Sequence, residues 1–507
     1  MVGAQNPPKA ERSSLADYLQ VNLASGPSSK IGLLSFNQWY WTTAALTETA
    51  AAAHSIGADV TIAWWSDLTP LHDPGWRLSR RICRLLRSRS IEESAQSLLE
   101  AAGVPRSAFV DPPLHAHTPS NLPELPYPLT RRAIRSLSYR GTGMGRSILQ
   151  VHPDFNTPIR DDFVWPRRWI DRAVRSYVWV FDQTTALIEQ RQLSTIVVFN
   201  GRFTHDRAAA AAAEALGVQV LYYDTGGLDT DFDLTDHTTH DWDALQGRMI
   251  DLWARWGDDR EEIARAWFAN REDHSEPGIE VFIGIQESNH LPDLPANQKL
   301  VVFFSSSGDE MVEMDLDWSE YFESQEQAVR ILAQVCAELP DTTLVVRTHP
   351  HMRLKPADDL ARWVDAIDSI GDNIHIPPDS PTDSYALMRA ADRVITYGST
   401  SGIEAAYRDR PVAVMGPSAY QLLGCVTPVH SADDLKRWLI EDADTNPQKS
   451  LPYGLMMQRR GFHHEWLQRQ PGGQLGRDGV TLTDPAPRAQ KVSHFLDALT
   501  TQWLTRS

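Results

Sequence analysis

Unbroken apolar runs alternate with helix-spaced segments along most of this chain. KIGLLSF, Lys30 to Phe36, has the continuous apolar character of a strand buried on both faces. An Ala-rich helical segment follows, about Thr42 to Ile56, and ADVTIAWW, Ala58 to Trp65, reads as a second strand. This is a βαβ opening. The stretch from about 67 to 167 breaks the rhythm with amphipathic pieces such as Ser90 to Ala102 and with Pro-rich loops. It is read as an insertion. Alternation then resumes with a long helix, WIDRAVRSYVWVFDQTTALIEQRQL, the strand TIVVFNG, the helix RAAAAAAEALG and the strand VQVLYYD. Two helical segments between Asp241 and Glu272 read as a connector, and a Pro- and Asn-rich linker follows them.

The second half repeats the pattern more cleanly. Strands are expected at KLVVFFSSS, TLVVRTHP, NIHIPP, Val394 to Tyr397 and Pro411 to Met415, with helices at Gln325 to Leu339, Ala357 to Ile370, Ser384 to Ala391 and along SADDLKRWLIED. Alternation of this kind implies parallel, doubly wound sheets, whose ligands bind beyond the carboxyl ends of the strands. The predicted domains are a disordered leader over 1–29, a first Rossmann-like domain over 30–285, a second over 297–450, and C-terminal helices over 451–507. A helix from about Arg488 to Trp503 is expected to cross back to the first domain.

The second domain concentrates its chemistry at strand ends. One strand runs into Arg347-Thr348-His349-Pro350, another into Gly398-Ser399-Thr400-Ser401-Gly402, and a third into Ser305-Ser306-Ser307. Hydroxyls, small residues, an arginine and a histidine gathered there suit a phosphate, and the turn at Ser399 aims free backbone N–H groups the same way. No Gly-x-x-x-x-Gly-Lys loop occurs. Ser401 and Glu404 have the spacing of a capping box, which is the purely structural alternative.

Composition narrows the classes. Asp plus Glu exceed Lys plus Arg, 66 against 48, giving a formal charge of −18 and arguing against a nucleic-acid binder. Three scattered cysteines give no disulfide framework or paired metal spacing, which fits a reducing, cytoplasmic compartment. No apolar run has the length of a membrane span. Seventeen tryptophans invite two uses. Core packing accounts for most, while several, such as Trp39, Trp41, Trp64 and Trp65, are candidates to line an acceptor cleft. Arg140 to Ser147, RGTGMGRS, imitates a dinucleotide loop without following a clear strand, and reads as a flexible loop.

TLVVRTHPH followed by SYALMRAADRVITYGSTSGIEAAYRDRPVAVMG resembles the nucleotide-sugar domain of GT-B glycosyltransferases, and most of all the capsule and surface-polysaccharide group. Bacterial sialyltransferases and Kdo transferases share the His-Pro and Ser-Ser/Thr pair and use CMP-sugar donors. The resemblance covers about Lys299 to Gly416. It implies an α/β GT-B fold of two Rossmann-like domains facing a cleft, and transfer of a sugar from a nucleotide-sugar, CMP-linked in the first instance, to a glycan or glycolipid. It further implies that His349 contacts the donor phosphate and assists its departure. Ser399, Thr400 and Ser401 would bond the phosphate, with Ser306 and Ser307 nearby. Arg347 would neutralise charge, and Glu404 would reach the ribose. No cofactor and no Asp-x-Asp metal site are expected; DLD at Asp315 to Asp317 falls in an acidic loop.

In the first domain, VVFNGRFTHDRAAAAAAEALGVQVLYYDTGG resembles the same group. Asn200, Gly201 and Arg202 sit at one strand end, and Asp224, Thr225 and Gly226 at the next. The sialyltransferase pattern has a second acidic residue where Thr225 stands, so Asp224 is the general-base candidate and His205, Asp206 and Asp229 stay open. Asn200, Arg202 and Gly226 are assigned to the acceptor side. The alternatives within this reading are a CDP-polyol phosphotransferase, a sugar-nucleotide epimerase and a non-catalytic assembly protein. Attachment at the inner membrane face would come through an acceptor lipid, since no basic amphipathic helix is legible.

Overall fold

A computed structural model describes residues 14–24, 29–36, 39–65, 91–110, 121–150, 161–228, 230–273, 285–307, 313–314, 321–369, 373–471 and 473–482. Two compact units result: the first gathers the chain up to Thr239 and resumes at Arg460, and the second holds His240–Arg459.

Among the described residues the first unit has a seven-stranded sheet. Lys30–Ser35 lies between Asp59–Trp64 and Thr195–Phe199, and Gln219–Thr225 continues the parallel set. Leu33, Ile62, Val197 and Leu221 are almost wholly buried, as continuous apolar strands require when helices cover both faces. The poly-Ala helix Thr204–Ala215 buries Ala208 through Ala213 completely. Small side chains there admit the long helix Arg167–Arg191, whose Tyr177, Val178 and Phe181 belong to the same core. Two antiparallel strands extend the edge, Asp231–Thr235 and, from the returning chain, Phe462–His463.

Several expectations are corrected. Ser14 caps a helix, Leu15–Asn22, whose Leu15 and Leu19 are buried, so the expected leader contains an ordered helix. The expected insertion supplies the sheet strand Phe109–Val110 and the core residues Met144, Ile148 and Trp165. Arg140 to Ser147 forms a small hairpin, Ser138–Tyr139 with Thr142–Gly143, that enters the helix Gly145–Leu149. That is core structure rather than a flexible loop. The helices Trp242–Arg255 and Arg260–Glu272 bury Met249, Ala264, Trp267 and Phe268 in a core they share with Leu451 and Leu455 of the helix Leu451–Arg459. They therefore belong to the second unit, and the first ends well before 285. The expected helix from Arg488 to Trp503 lies outside the described residues.

The return of the chain to the first unit is fixed electrostatically. Glu48, buried in the helix Tyr40–Ser55, accepts the backbone N–H groups of Glu465, Trp466 and Leu467 at 2.9, 2.6 and 2.8 Å. A carboxylate holding consecutive amides anchors a segment otherwise poor in regular structure.

The second unit carries a wholly parallel sheet of six strands among the described residues. Its order is Ile374–Ile376, Thr342–Arg347, Lys299–Phe304, Arg393–Thr396, Val412–Val414 and Thr427–Pro428. The chain winds outward one way from Lys299–Phe304 and the other way from Arg393–Thr396. The switch point thus lies between these two strands, where such sheets open a crevice. Each unit by itself is of the Rossmann-like α/β class read from the sequence.

Candidate donor-phosphate site

The strands ending at Arg347, Phe304 and Thr396 are consecutive neighbours in the second sheet, so their three turns share one edge. A cavity of about 240 Å³ opens there, lined by Ser305, Ser307, Arg347, His349 and Ser399 to Ser401, with Arg271, Tyr385 and Glu404 among its other walls.

Alternation along each strand sorts the side chains. Arg347 and His349 line the cavity, while Thr348 between them turns away to the Trp363 indole, 2.8 Å, and to His375, 2.9 Å. Ser305 and Ser307 line it as well, while the amide and hydroxyl of Ser306 both go to Gln325. Ser306 therefore does not line the cavity, and Ser305, named at this strand end but not among the donor residues, does. Ser305 ties the turns together: its hydroxyl accepts the His349 N–H at 2.8 Å.

Arg347 is the central feature. The residue is only 2% exposed, and Nη1 donates to the Pro377 carbonyl at 2.5 Å, yet Nε and Nη2 have no partner among the described residues. Burial lowers its pKa to about 10, with Asp379 opposing the shift. A buried guanidinium with two unpartnered, buried donors is costly unless a partner completes it. Nδ1 of His349 accepts the His351 N–H at 3.2 Å, so the neutral ring carries its proton on Nε2.

The serine turn differs from a capping box. Gly398 takes a positive φ of 81°, and Ser399 Oγ bonds the amide and hydroxyl of Ser401 at 3.4 and 3.2 Å. Thr400, at the cap position of the helix Ser401–Tyr407, makes no side-chain capping bond. Tyr420 holds the turn by donating its hydroxyl to the Ser399 carbonyl. Gly402 is required beneath it, since a Cβ there would run into that hydroxyl. Glu404 lines the cavity, but its carboxylate is taken by Arg271 at 2.7 Å and is 5% exposed. Glu404 is thus part of an ion pair with Arg271 at the cavity wall. Arg271 comes from a helix read as a connector, and no local signal marks it.

In the first unit the predicted residues also meet at strand ends. Asn200 follows the strand Thr195–Phe199 and Asp224 lies near the end of its neighbour Gln219–Thr225, and Asn200 Nδ2 donates to Asp224 Oδ2 at 3.2 Å. Burial raises the Asp224 pKa, against the Thr225 amide, Arg460, Asn200 and Thr239. Arg202 is held by Gln150 at 2.7 Å, with its own amide on Asn200 Oδ1 at 3.0 Å. Gly226 packs against Asp231 in the turn after Thr225. His205 is buried between Ser176, 2.7 Å away, and the Phe36 ring, and Asp206 is buried with its pKa driven well above the carboxylate range by desolvation. Both are structural placements. Asp229 and the DLD run lie outside the described residues.

Residues 290–449 match the family described as capsule polysaccharide biosynthesis protein. No curated protein matches the chain. Among solved structures it is similar to the KpsC β-Kdo 2,7-transferase of Thermosulfurimonas dismutans, with 14% identity, 63% of this chain and 89% of that one covered, and a TM-score of 0.34. The β-Kdo 2,4-transferase of the same KpsC is also similar, with 14% identity, 52% and 79% covered, and a TM-score of 0.35. So is a putative UDP-N-acetylglucosamine 2-epimerase of Listeria monocytogenes, with 11% identity, 86% and 92% covered, and a TM-score of 0.25. The stretch that carries Arg347, His349 and the Ser399 to Ser401 turn thus lies within the residues that match this family, the group its motifs resemble.

Proposed function

We propose that this chain is a glycosyltransferase of surface-polysaccharide assembly, and that the cavity of the second unit holds the phosphate of its nucleotide-sugar donor. The observation that carries this reading is Arg347: buried, with two donors unpartnered among the described residues, in a cavity that also presents Ser305, His349 and Ser399 to Ser401. A CMP-linked sugar is the first candidate, because the His-Pro and Ser-Thr-Ser motifs match those of enzymes that use such donors.

As the glycosidic bond to phosphate breaks, negative charge grows on the departing phosphate. Arg347, the Nε2 proton of His349 and the serine hydroxyls bind that charge more strongly in the transition state than in the ground state. Arg271 and Glu404 hold each other at the cavity wall, which fixes the shape of the donor side. The acceptor hydroxyl must lose a proton as it attacks, and Asp224 is assigned as the base. Its raised pKa makes it a stronger base than an ordinary carboxylate, and Asn200 orients the oxygen it bonds. The acceptor is a glycan or glycolipid; this assignment, a metal-independent mechanism and a site of action at the inner membrane face belong to the proposal. No described helix is long and apolar enough to cross a membrane.

A thermal-shift series with CMP, UDP, GDP and dTDP, followed by an assay of donor-dependent nucleotide release, tests this reading. Stabilisation by one nucleotide and release of the same nucleotide are expected. A chain that none of the four stabilises would sink it.

A further inference from the structure

We propose that Trp39, backed by Trp41 and flanked by Phe199 and Phe203, is a stacking platform for a pyranose ring of the acceptor, beside Asn200 and Asp224 in the first unit. This rests on the glycosyl-transfer reading and gives its acceptor side a residue-level site.

Of the four tryptophans flagged in the sequence, Trp64 and Trp65 are core residues, whereas Trp39 is 42% exposed. Its ring is stacked on Trp41 at 5.9 Å between centroids with 21° between planes. Phe199 and Phe203 stand nearly perpendicular to it, at 5.8 and 6.3 Å. Phe199 and Phe203 in turn stack on each other at 5.8 Å. The indole is therefore held rigidly by three rings while a large part of it stays open to solvent. A fixed, exposed, amphipathic ring loses little conformational entropy on contact with a ligand.

Sheet order places this platform on the same sheet edge as the candidate base, one strand removed from it. Lys30–Ser35, Thr195–Phe199 and Gln219–Thr225 are consecutive and parallel. Trp39 lies in the turn after the first, Asn200 and Phe203 in the turn after the second, and Asp224 at the end of the third. All three turns leave the same edge. A pyranose offers one apolar face of axial C–H groups and a rim of hydroxyls, which suits an aromatic plane adjoining an amide–carboxylate pair. A nucleobase would also stack, but its phosphate would meet Asp224, on which Arg460 already acts, and the guanidinium of the Asn200 turn, Arg202, donates Nε to Gln150. Charge thus favours a neutral sugar here.

The test is saturation-transfer NMR on the full chain with methyl β-D-glucopyranoside and methyl β-D-galactopyranoside as probes, alongside CMP. Transfer to ring C–H protons is expected for at least one glycoside. Its affinity should fall by about tenfold in Trp39→Ala, the loss of one aromatic contact, and largely recover in Trp39→Phe. Trp39→Leu, which keeps apolar bulk against Trp41, should lose binding while holding the melting temperature. CMP binding should be unchanged in all three. The proposal is overturned if neither glycoside binds, if Trp39→Ala and Trp39→Leu bind as the parent does, or if they lose CMP instead. Glycoside binding that depends on Trp39 in a chain that binds no nucleotide would uphold the platform and defeat the donor assignment.

Discussion

Replacing Arg347 by methionine should make the ligand-free protein more stable and the nucleotide-binding protein nearly inert. Burial lowers the folded-state pKa of this guanidinium to about 10. A cation whose folded pKa is depressed is penalised wherever it is charged, so the penalty is full at neutral pH and fades only as pH climbs beyond 10. Such a shift corresponds to about 3 kcal/mol. The methionine side chain would keep the apolar stem and lose the bond to the Pro377 carbonyl, so a net gain of about 1–3 kcal/mol is expected. For a unit of this size that is a rise of about 2–10 °C in melting temperature. With ligand the sign reverses. Nε and Nη2 would each give a phosphate a charge-assisted bond of about 1.5–3 kcal/mol, so affinity should drop by about 10²–10⁴. Melting curves of parent and Arg347→Met, with and without the stabilising nucleotide and at pH 7, read both effects. An Arg347→Met protein that melts lower than the parent and binds nucleotide equally well would show that Arg347 is structural.

Four further outcomes are expected. His349→Ala and Ser399→Ala should each cut turnover by about 10²–10³ with the fold intact by circular dichroism; parent-like turnover in both would remove them from the site. Gly402→Ala should weaken nucleotide binding by pushing the Tyr420 hydroxyl off the Ser399 carbonyl, and adding Tyr420→Phe should restore part of it; a double variant no better than the single one would refute the steric argument. Asp224→Asn should lower turnover by about 10²–10⁴ while leaving nucleotide affinity alone. Because burial raises the folded pKa of Asp224, the acid limb of the parent's rate profile should lie above the ordinary aspartate value and vanish in the variant; an unchanged profile would assign the base elsewhere. Glu48→Gln weakens three backbone bonds at once and should cost about 2–4 kcal/mol, seen as earlier urea unfolding and faster proteolysis within 460–482; unaltered resistance would deny Glu48 its anchoring role.

Apolar runs and helix-spaced segments marked most strands and helices correctly, because burial on two faces or on one stripe leaves a local imprint. The same imprint announced that Arg347, His349 and the Ser399 to Ser401 turn follow strands. It also held information left unused: two-residue alternation sets Ser305 and Ser307 against Ser306, as it sets Arg347 and His349 against Thr348. What no local pattern holds is which strands are neighbours. Only the order that seats Lys299–Phe304 between Thr342–Arg347 and Arg393–Thr396 brings the three turns to one cavity. Pairing across the chain is equally hidden. Glu404 could cap its own helix by spacing, but Arg271, 133 residues away, claims its carboxylate because both are buried and charge demands a partner. Trp39 shows the same division: its sequence says aromatic, and only packing against Trp41, Phe199 and Phe203 decides that it stays half in solvent rather than joining Trp65 in the core. Strand adjacency, ion-pair choice and exposure are set by contacts between distant segments, which is why they appear only once the chain is folded.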